Sequence, residues 1–235
     1  MLNSLDIALL CDSRTVDGAG LAITPDRSRH GIHAQLGDGA TAGTMPTLDA
    51  LNGRYTFDGG DYMVLRQADD VDDVLADMAS DQDETYLYYI FPMISTVDYA
   101  YLLSTNYGAG GYYYIRQRET VGTFYWQATF NDGIGSETAT SGVNSILPYY
   151  NKGILLAVRR GSNVIEFWVN GVLISSTVVA TRDASNAKDV LVGAVSAAIT
   201  YPFPAGTGLR FFGYSRTAWT QTQLRALQRF LRGNL

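Results

Sequence analysis

Val164-Ile165-Glu166-Phe167-Trp168-Val169-Asn170-Gly171-Val172-Leu173-Ile174-Ser175-Ser176-Thr177 is a pair of β-rich runs joined by Asn-Gly. That dipeptide between apolar runs is the strongest short hairpin signal, because a type I′ turn needs positive φ at both central residues. A two-residue loop fixes the register. Val169 faces Val172, Phe167 faces Ile174 and Ile165 faces Ser176 on one side, which looks into a core. The other side carries Trp168 beside Leu173, Glu166 beside Ser175 and Val164 beside Thr177. Upstream, Leu155 to Arg160 joins through Gly161-Ser162-Asn163, so the stretch predicts a three-strand antiparallel meander.

Working outward, similar runs recur at Ser4 to Leu10, Ile32 to Leu36, Thr85 to Phe91, Tyr99 to Ser104, Gly111 to Gln117, Thr123 to Phe130, Asp189 to Val195 and Leu209 to Tyr214. Gly53 to Leu65 reads as two short strands around an Asp58-Gly59-Gly60 turn. Residues 69–84 hold eight acids in sixteen positions, with Val71, Val74, Leu75 and Met78 at helical spacing, which predicts a short amphipathic helix with a solvated acidic face. Thr220-x-x-Gln223 is a capping box, and Leu224, Leu227 and Leu231 follow at helical spacing. The expectation is an all-β antiparallel sandwich in one domain, residues 1–235, of roughly a dozen strands. A C-terminal helix docks on it through those leucines and turns Arg225, Arg229 and Arg232 outward.

Composition narrows the function. The net charge is −6, with 18 acids and 7 bases in residues 1–120 against 5 acids and 10 bases in residues 121–235. The acidic total argues against nucleic acid as a partner, and no apolar run reaches membrane-spanning length. Cys11 is the only cysteine, so there is no intrachain disulfide and no four-cysteine zinc site. His30 and His33 lack the further ligands a zinc ion needs. Met1 to Asp6 has neither the basic start nor the cleavage site of a secretory signal, so Sec export by its own signal is not expected. Ten of the sixteen tyrosines fall between Tyr86 and Tyr125, a density that suits strands with one packed face and one available for contact.

The chain resembles the concanavalin A-like lectin/glucanase superfamily in its laminin G-like form, common in bacteriophage and bacterial surface proteins. The likeness rests on Phe57-Asp58-Gly59-Gly60-Asp61-Tyr62, on Val164 to Ile174 with its Val169-Asn170-Gly171, and on Gly208 to Leu227. Asp26-x-Ser28 is similar to an early family element, with Arg29 where glycine is usual. Together these span residues 5–231. The resemblance implies a jelly-roll β-sandwich of two antiparallel sheets. Hydrolases of the superfamily carry a Glu-x-Asp-x-(x)-Glu cluster, because two carboxyl groups must flank one glycosidic bond. Glu84, Glu119, Glu137 and Glu166 are the only glutamates and none sits in such a pattern, so the expectation is a non-enzyme.

Two functions fit. One is a structural or adhesive bacteriophage virion protein, in capsid decoration or the tail, assembled with copies of itself and other virion proteins. The alternative is a carbohydrate-binding module for host-surface glycan. Trp168, Tyr112 and Tyr114 are the candidate glycan or partner contacts. For Trp168 there is a competing role in a second small core, covered by a loop such as Tyr201 to Pro204. Asp58 and Asp61 are candidate ligands for the calcium that the resemblance implies, or else caps of the Gly59-Gly60 turn. Arg225, Arg229 and Arg232 are candidate interface residues that would meet acids from Asp69 to Glu84 of a neighbouring copy.

Overall fold

Both residues of the Asn170-Gly171 turn adopt left-handed φ, +54° and +72°, as a type I′ hairpin requires. The computed structural model describes residues 2–67, 74–80, 83–94, 99–105, 111–161, 163–180, 183–184, 190–194 and 202–233. Its strands are β1 Ile7–Leu10, β2 Thr15–Val16, β3 Ala22–Thr24, β4 Ile32–Leu36, β5 Thr47–Asp49, β6 Arg54–Thr56, β7 Met63–Gln67, β8 Glu84–Phe91, β9 Tyr99–Thr105, β10 Tyr112–Thr120, β11 Thr123–Asn131, β12 Ser136–Thr140, β13 Ile154–Gly161, β14 Val164–Val169, β15 Val172–Val178, β16 Val190–Val192 and β17 Gly208–Ser215. Two helices, α1 Val74–Asp77 and α2 Gln221–Gly233, complete the set.

These strands form two antiparallel sheets, the architecture of a jelly-roll sandwich. One runs β15-β14-β13-β8-β17-β6-β5, with β1 also paired to β17. The other runs β12-β11-β10-β9-β16-β7-β4-β3-β2. Alternate residues from both fill the space between them: Leu156, Val158, Ile165 and Phe167 from one sheet meet Leu65, Tyr113, Ile115, Trp126 and Phe130 from the other, all buried. Period-two burial along β4 (Ile32, Ala34 and Leu36 in) and β14 (Ile165, Phe167 and Val169 in) is what a half-buried strand dictates.

A second apolar layer lies on the outside of the β1/β17 sheet. Leu224, Leu227 and Leu231 of α2, with Leu5 and Trp219, cover Ala8, Leu87, Leu155, Ala157 and Phe211. Burying three leucines there contributes on the order of 5 kcal/mol before ordering entropy is deducted. The helix starts at the predicted capping box, where the Thr220 N–H donates to Gln223 Oε1 at 2.8 Å and the Gln223 N–H to Thr220 Oγ1 at 3.3 Å. The chain ends are tied to this face, since the Arg216 N–H and guanidinium both bond the Asp6 carboxylate.

Several expectations are corrected. The hairpin register holds for Val169 opposite Val172 and Trp168 opposite Leu173, then slips by one residue at a bulge. Phe167 faces Ser175, Glu166 faces Ser176, Ile165 faces Thr177 and Val164 faces Val178, because Ile174 is the extra residue. β15 is a sheet edge, where bulges accommodate twist, and the slip lets Ser175 Oγ donate to the Thr140 carbonyl of β12 in the other sheet at 2.8 Å. The strand predicted from Ser4 begins only at Ile7, since Leu2–Ser4 is a 3-10 turn. The strands flanking Asp58-Gly59-Gly60 lie in opposite sheets, so that segment is a crossover and not a hairpin.

Within residues 69–84 the described helix is only Val74–Asp77, while residues 69–73 and 81–82, and thus five of the acids, lie outside the described residues. Glu84 is not on a solvated face. It is 1% exposed and its Oε1 lies 3.2 Å from Arg160 Nη1, a pairing set by the β8–β13 register. Glu84 Oε2 accepts from the Ala79 N–H at 2.9 Å and from the Tyr214 hydroxyl at 3.0 Å. Arg160 Nη1 also donates to the Ala79 and Ser80 carbonyls, and its guanidinium lies 4.4 Å from the Phe130 ring centre. Burial pushes the Glu84 carboxyl up to about 7, against the opposing pull of Arg160.

Candidate functional site

Tyr112, Tyr114, Arg116 and Arg118 occupy alternate positions on β10, so all four point away from the core that takes Tyr113 and Ile115. The register brings Tyr101 opposite Arg116 and Tyr99 opposite Arg118 on one side, and Gln127 and Tyr125 opposite the same two arginines on the other. A bulge in β9 makes this possible. Leu102 and Leu103 are consecutive yet both enter the core, and the break in alternation returns Tyr101 and Tyr99 to the outer face.

The result is a stacked ladder. The Tyr112 and Tyr114 rings lie 6.0 Å apart and nearly parallel, at 7°. The Arg116 guanidinium follows, 4.3 Å from the Tyr114 ring centre and 4.0 Å from that of Tyr99. Arg118 stacks 5.5 Å from Tyr99. Tyr101 packs edge-on to Tyr114 at 5.3 Å, and its hydroxyl accepts from Arg116 Nη1 at 2.8 Å. Gln127 Oε1 accepts from Arg116 Nε at 2.8 Å and from Nη2. Arg116 is 7% exposed and Tyr114 8%, whereas Tyr112, Tyr99, Tyr125 and Arg118 are half-buried and form the accessible surface. Such a face offers aromatic planes, hydroxyls and fixed cations. Those are groups that bind; no described strand residue on the face supplies a carboxylate for acid–base chemistry.

The sequence reading names Tyr112 and Tyr114 but misses Arg116, Arg118, Tyr99, Tyr101 and Gln127. The period-two run Tyr112-x-Tyr114-x-Arg116-x-Arg118 is the signal that could have found the arginines. Tyr114 is too buried to be a platform by itself; its ring holds Arg116 in place and supports Tyr112.

The ladder does not include the other candidates. Trp168 lies half-buried on the opposite sheet, packed against the apolar layer that includes α2 and Trp219. Tyr201 is outside the described residues, and Phe203 packs on Phe57 in the main core, ring centres 4.7 Å apart. Trp168 Nε1 donates to Glu166 Oε2 at 2.9 Å, and Arg159 Nε lies 2.9 Å from the same oxygen. Arg225 and Arg229 line an open groove of about 460 Å³ with Asn170, Thr222 and Gln228. Arg225, Arg229 and Arg232 are exposed, and none forms an ion pair among the described residues. A smaller pocket of about 240 Å³, between Leu10, Leu51, Arg210 and Phe230, sits at the other end of α2.

Asp58 and Asp61 do come together. Asp61 Oδ2 accepts the Asp58 N–H at 2.7 Å, and Asp58 Oδ1 accepts the Gly60 N–H at 2.8 Å, so both cap the turn. Asp61 is 2% exposed and its Oδ1 has no hydrogen-bond partner among the described residues. Burial raises the Asp61 carboxyl to about 6, and the neighbouring charge of Asp58 adds to the rise. An orphaned buried oxygen beside a second carboxylate fits a cation, though calcium's six to eight oxygens would then include backbone carbonyls and water. Among the described residues no three His, Cys, Asp or Glu side chains cluster as a metal site. Asp26, in contrast, is saturated by the Ala8, Ser28 and Ile32 N–H groups and the Ser28 hydroxyl.

No protein-family profile and no curated protein matches the chain. Among solved structures it is similar to botulinum neurotoxin type C (TM-score 0.69, 12% identity, 98% of this chain and 52% of that one). It is also similar to the binding domain of botulinum neurotoxin DC (TM-score 0.66, 12% identity, 98% and 52%) and to the receptor binding domain of botulinum neurotoxin D (TM-score 0.64, 11% identity, 99% and 53%). The chain thus spans about half the length of the neurotoxin chains it matches. At this identity the likeness establishes a shared β-sandwich fold.

Proposed function

We propose that this chain is a non-catalytic glycan-recognition module whose contact surface is the tyrosine–arginine ladder on β9, β10 and β11. The observation that carries the reading is the ladder itself, in which Tyr112 and Tyr99 present ring surface held rigid by stacking on Tyr114 and Arg116. A pyranose stacks on such rings through its C–H face while tyrosine hydroxyls and guanidinium N–H groups bond its oxygens. Similar folds lend support, since the type C neurotoxin is described as interacting with two ganglioside molecules and a type D domain was solved with N-acetylneuraminic acid. Its setting in this reading is a bacteriophage particle, where copies of the chain and other virion proteins would display the ladder outward. The exposed arginines of α2 favour such packing, because they lie on the far sheet from the ladder and leave it free. Calcium, if bound, would be held by Asp58 and Asp61.

Titration of an oligosaccharide panel by calorimetry or native mass spectrometry tests the reading. Tyr112→Ala should weaken binding about fivefold or more, the worth of one aromatic contact, with the fold retained. Release of shortened sugars on prolonged incubation would contradict the non-catalytic part.

A further inference from the structure

We infer that the saccharide taken on this face is an anionic one, and that its carboxylate or sulfate sits against Arg118. The inference rests on reading the ladder as a glycan surface and names the ligand class. Its first support is a charge pattern opposite to that of the whole chain. The outward strand positions of the nine-stranded sheet include Arg66, Arg116 and Arg118, yet among the described strand residues no Asp or Glu. The two acids in the neighbouring strands, Glu119 and Glu137, stand opposite Phe124 and Phe130, on the inward side. In a protein of net charge −6, the described strand positions of this one face therefore carry cations and no acid.

The second support is how Arg116 is held. Its donors end on the Gln127 amide oxygen and the Tyr101 hydroxyl, and rings close it on both sides. All of these partners are neutral, so among the described residues a nearly buried cation is left without a countercharge. Arg118 supplies the third. It lies 5.5 Å from the centre of the same Tyr99 ring that Arg116 stacks on, and its buried Nε–H finds no acceptor among the described residues. Two like charges stacked on one ring repel, and a neutral sugar would leave that repulsion in place. A carboxylate or sulfate set against the accessible part of the Arg118 guanidinium takes N–H bonds and offsets both charges. Tyr112 and Tyr99 then stack the ring that bears the anion.

The test uses matched pairs of oligosaccharides: uronic acid-containing oligomers against their carboxyl-reduced forms, and sulfated oligomers against desulfated ones. The acidic member of at least one pair should bind roughly tenfold tighter, the loss expected for one hydrogen bond to a charged group. Arg118→Gln should weaken the acidic member far more than the neutral one and so abolish that preference, and Arg118→Lys should restore part of it. Arg118 is half-exposed, so both variants are expected to fold; Arg116→Gln is the riskier change. Inorganic sulfate, at constant ionic strength set with chloride, should shift the Arg118 Nε–H resonance of the wild-type chain. Neutral members binding as tightly as acidic ones, with no sulfate shift, would overturn the anionic preference and leave glycan recognition standing. Binding of no member of either series would overturn both.

Discussion

Glu84→Gln perturbs the buried ion pair between β8 and β13. The carboxyl is held at about 7 in the folded chain, against 4.5 ordinarily, because burial outweighs Arg160. Between those two values the folded state keeps a proton that the unfolded state has released, so stability falls as pH rises. The contribution is fully present below pH 4.5 and lost by about pH 7. At about 1.36 kcal/mol per pH decade the interval is worth roughly 3 kcal/mol, an order-of-magnitude figure for a buried pair. The amide introduced by Glu84→Gln mimics the protonated acid and does not titrate. Urea unfolding of wild type and variant from about pH 4.5 to 8 should show the stability difference moving toward the variant by up to that amount. Parallel pH profiles, or movement toward the wild type, would refute the reasoning and mean that the Arg160 pair dominates.

Leu227→Ala should cost about 2–5 kcal/mol in chemical unfolding, because the methyl groups it removes fill the layer between α2 and Leu87, Leu155 and Phe211. Trp168→Ala should cost about 2 kcal/mol, less than for a fully buried ring, and leave saccharide affinity unchanged; a lost affinity at constant stability would move the site to this face. If Asp58 and Asp61 hold calcium, the ion should raise Tm in the wild type and not in Asp61→Asn. The rise should grow as pH passes through about 6, where the Asp61 carboxyl loses its proton. A Tm unchanged by calcium at alkaline pH would retire the ion.

The legible part of the fold is what local chemistry dictates. Asn170-Gly171 specifies positive φ twice, so the turn and its first two cross-strand pairs follow from the residues alone. Thr220 and Gln223 announce the helix start, and the leucine spacing gives its buried face. The register beyond Trp168 is not legible, because the Ile174 bulge answers to a contact between Ser175 and Thr140, in the other sheet. The same limit hides the Glu84–Arg160 pair: the two residues lie 76 positions apart, and only the β8–β13 pairing makes them neighbours. For the ladder, Tyr112 and Tyr114 stand out by composition. Arg116 reads in sequence as any strand cation, and only the β9 bulge sets Tyr99 and Tyr101 against it.

Saccharide is proposed to bind on the outer face of the nine-stranded sheet. A crystal structure of the chain with the tightest-binding member of the oligosaccharide panel tests it most directly. A sugar ring stacked on Tyr112 or Tyr99, with its anionic group at Arg118, is the expected result. Saccharide found in the groove of Asn170, Arg225 and Arg229, with the ladder bare, would contradict it.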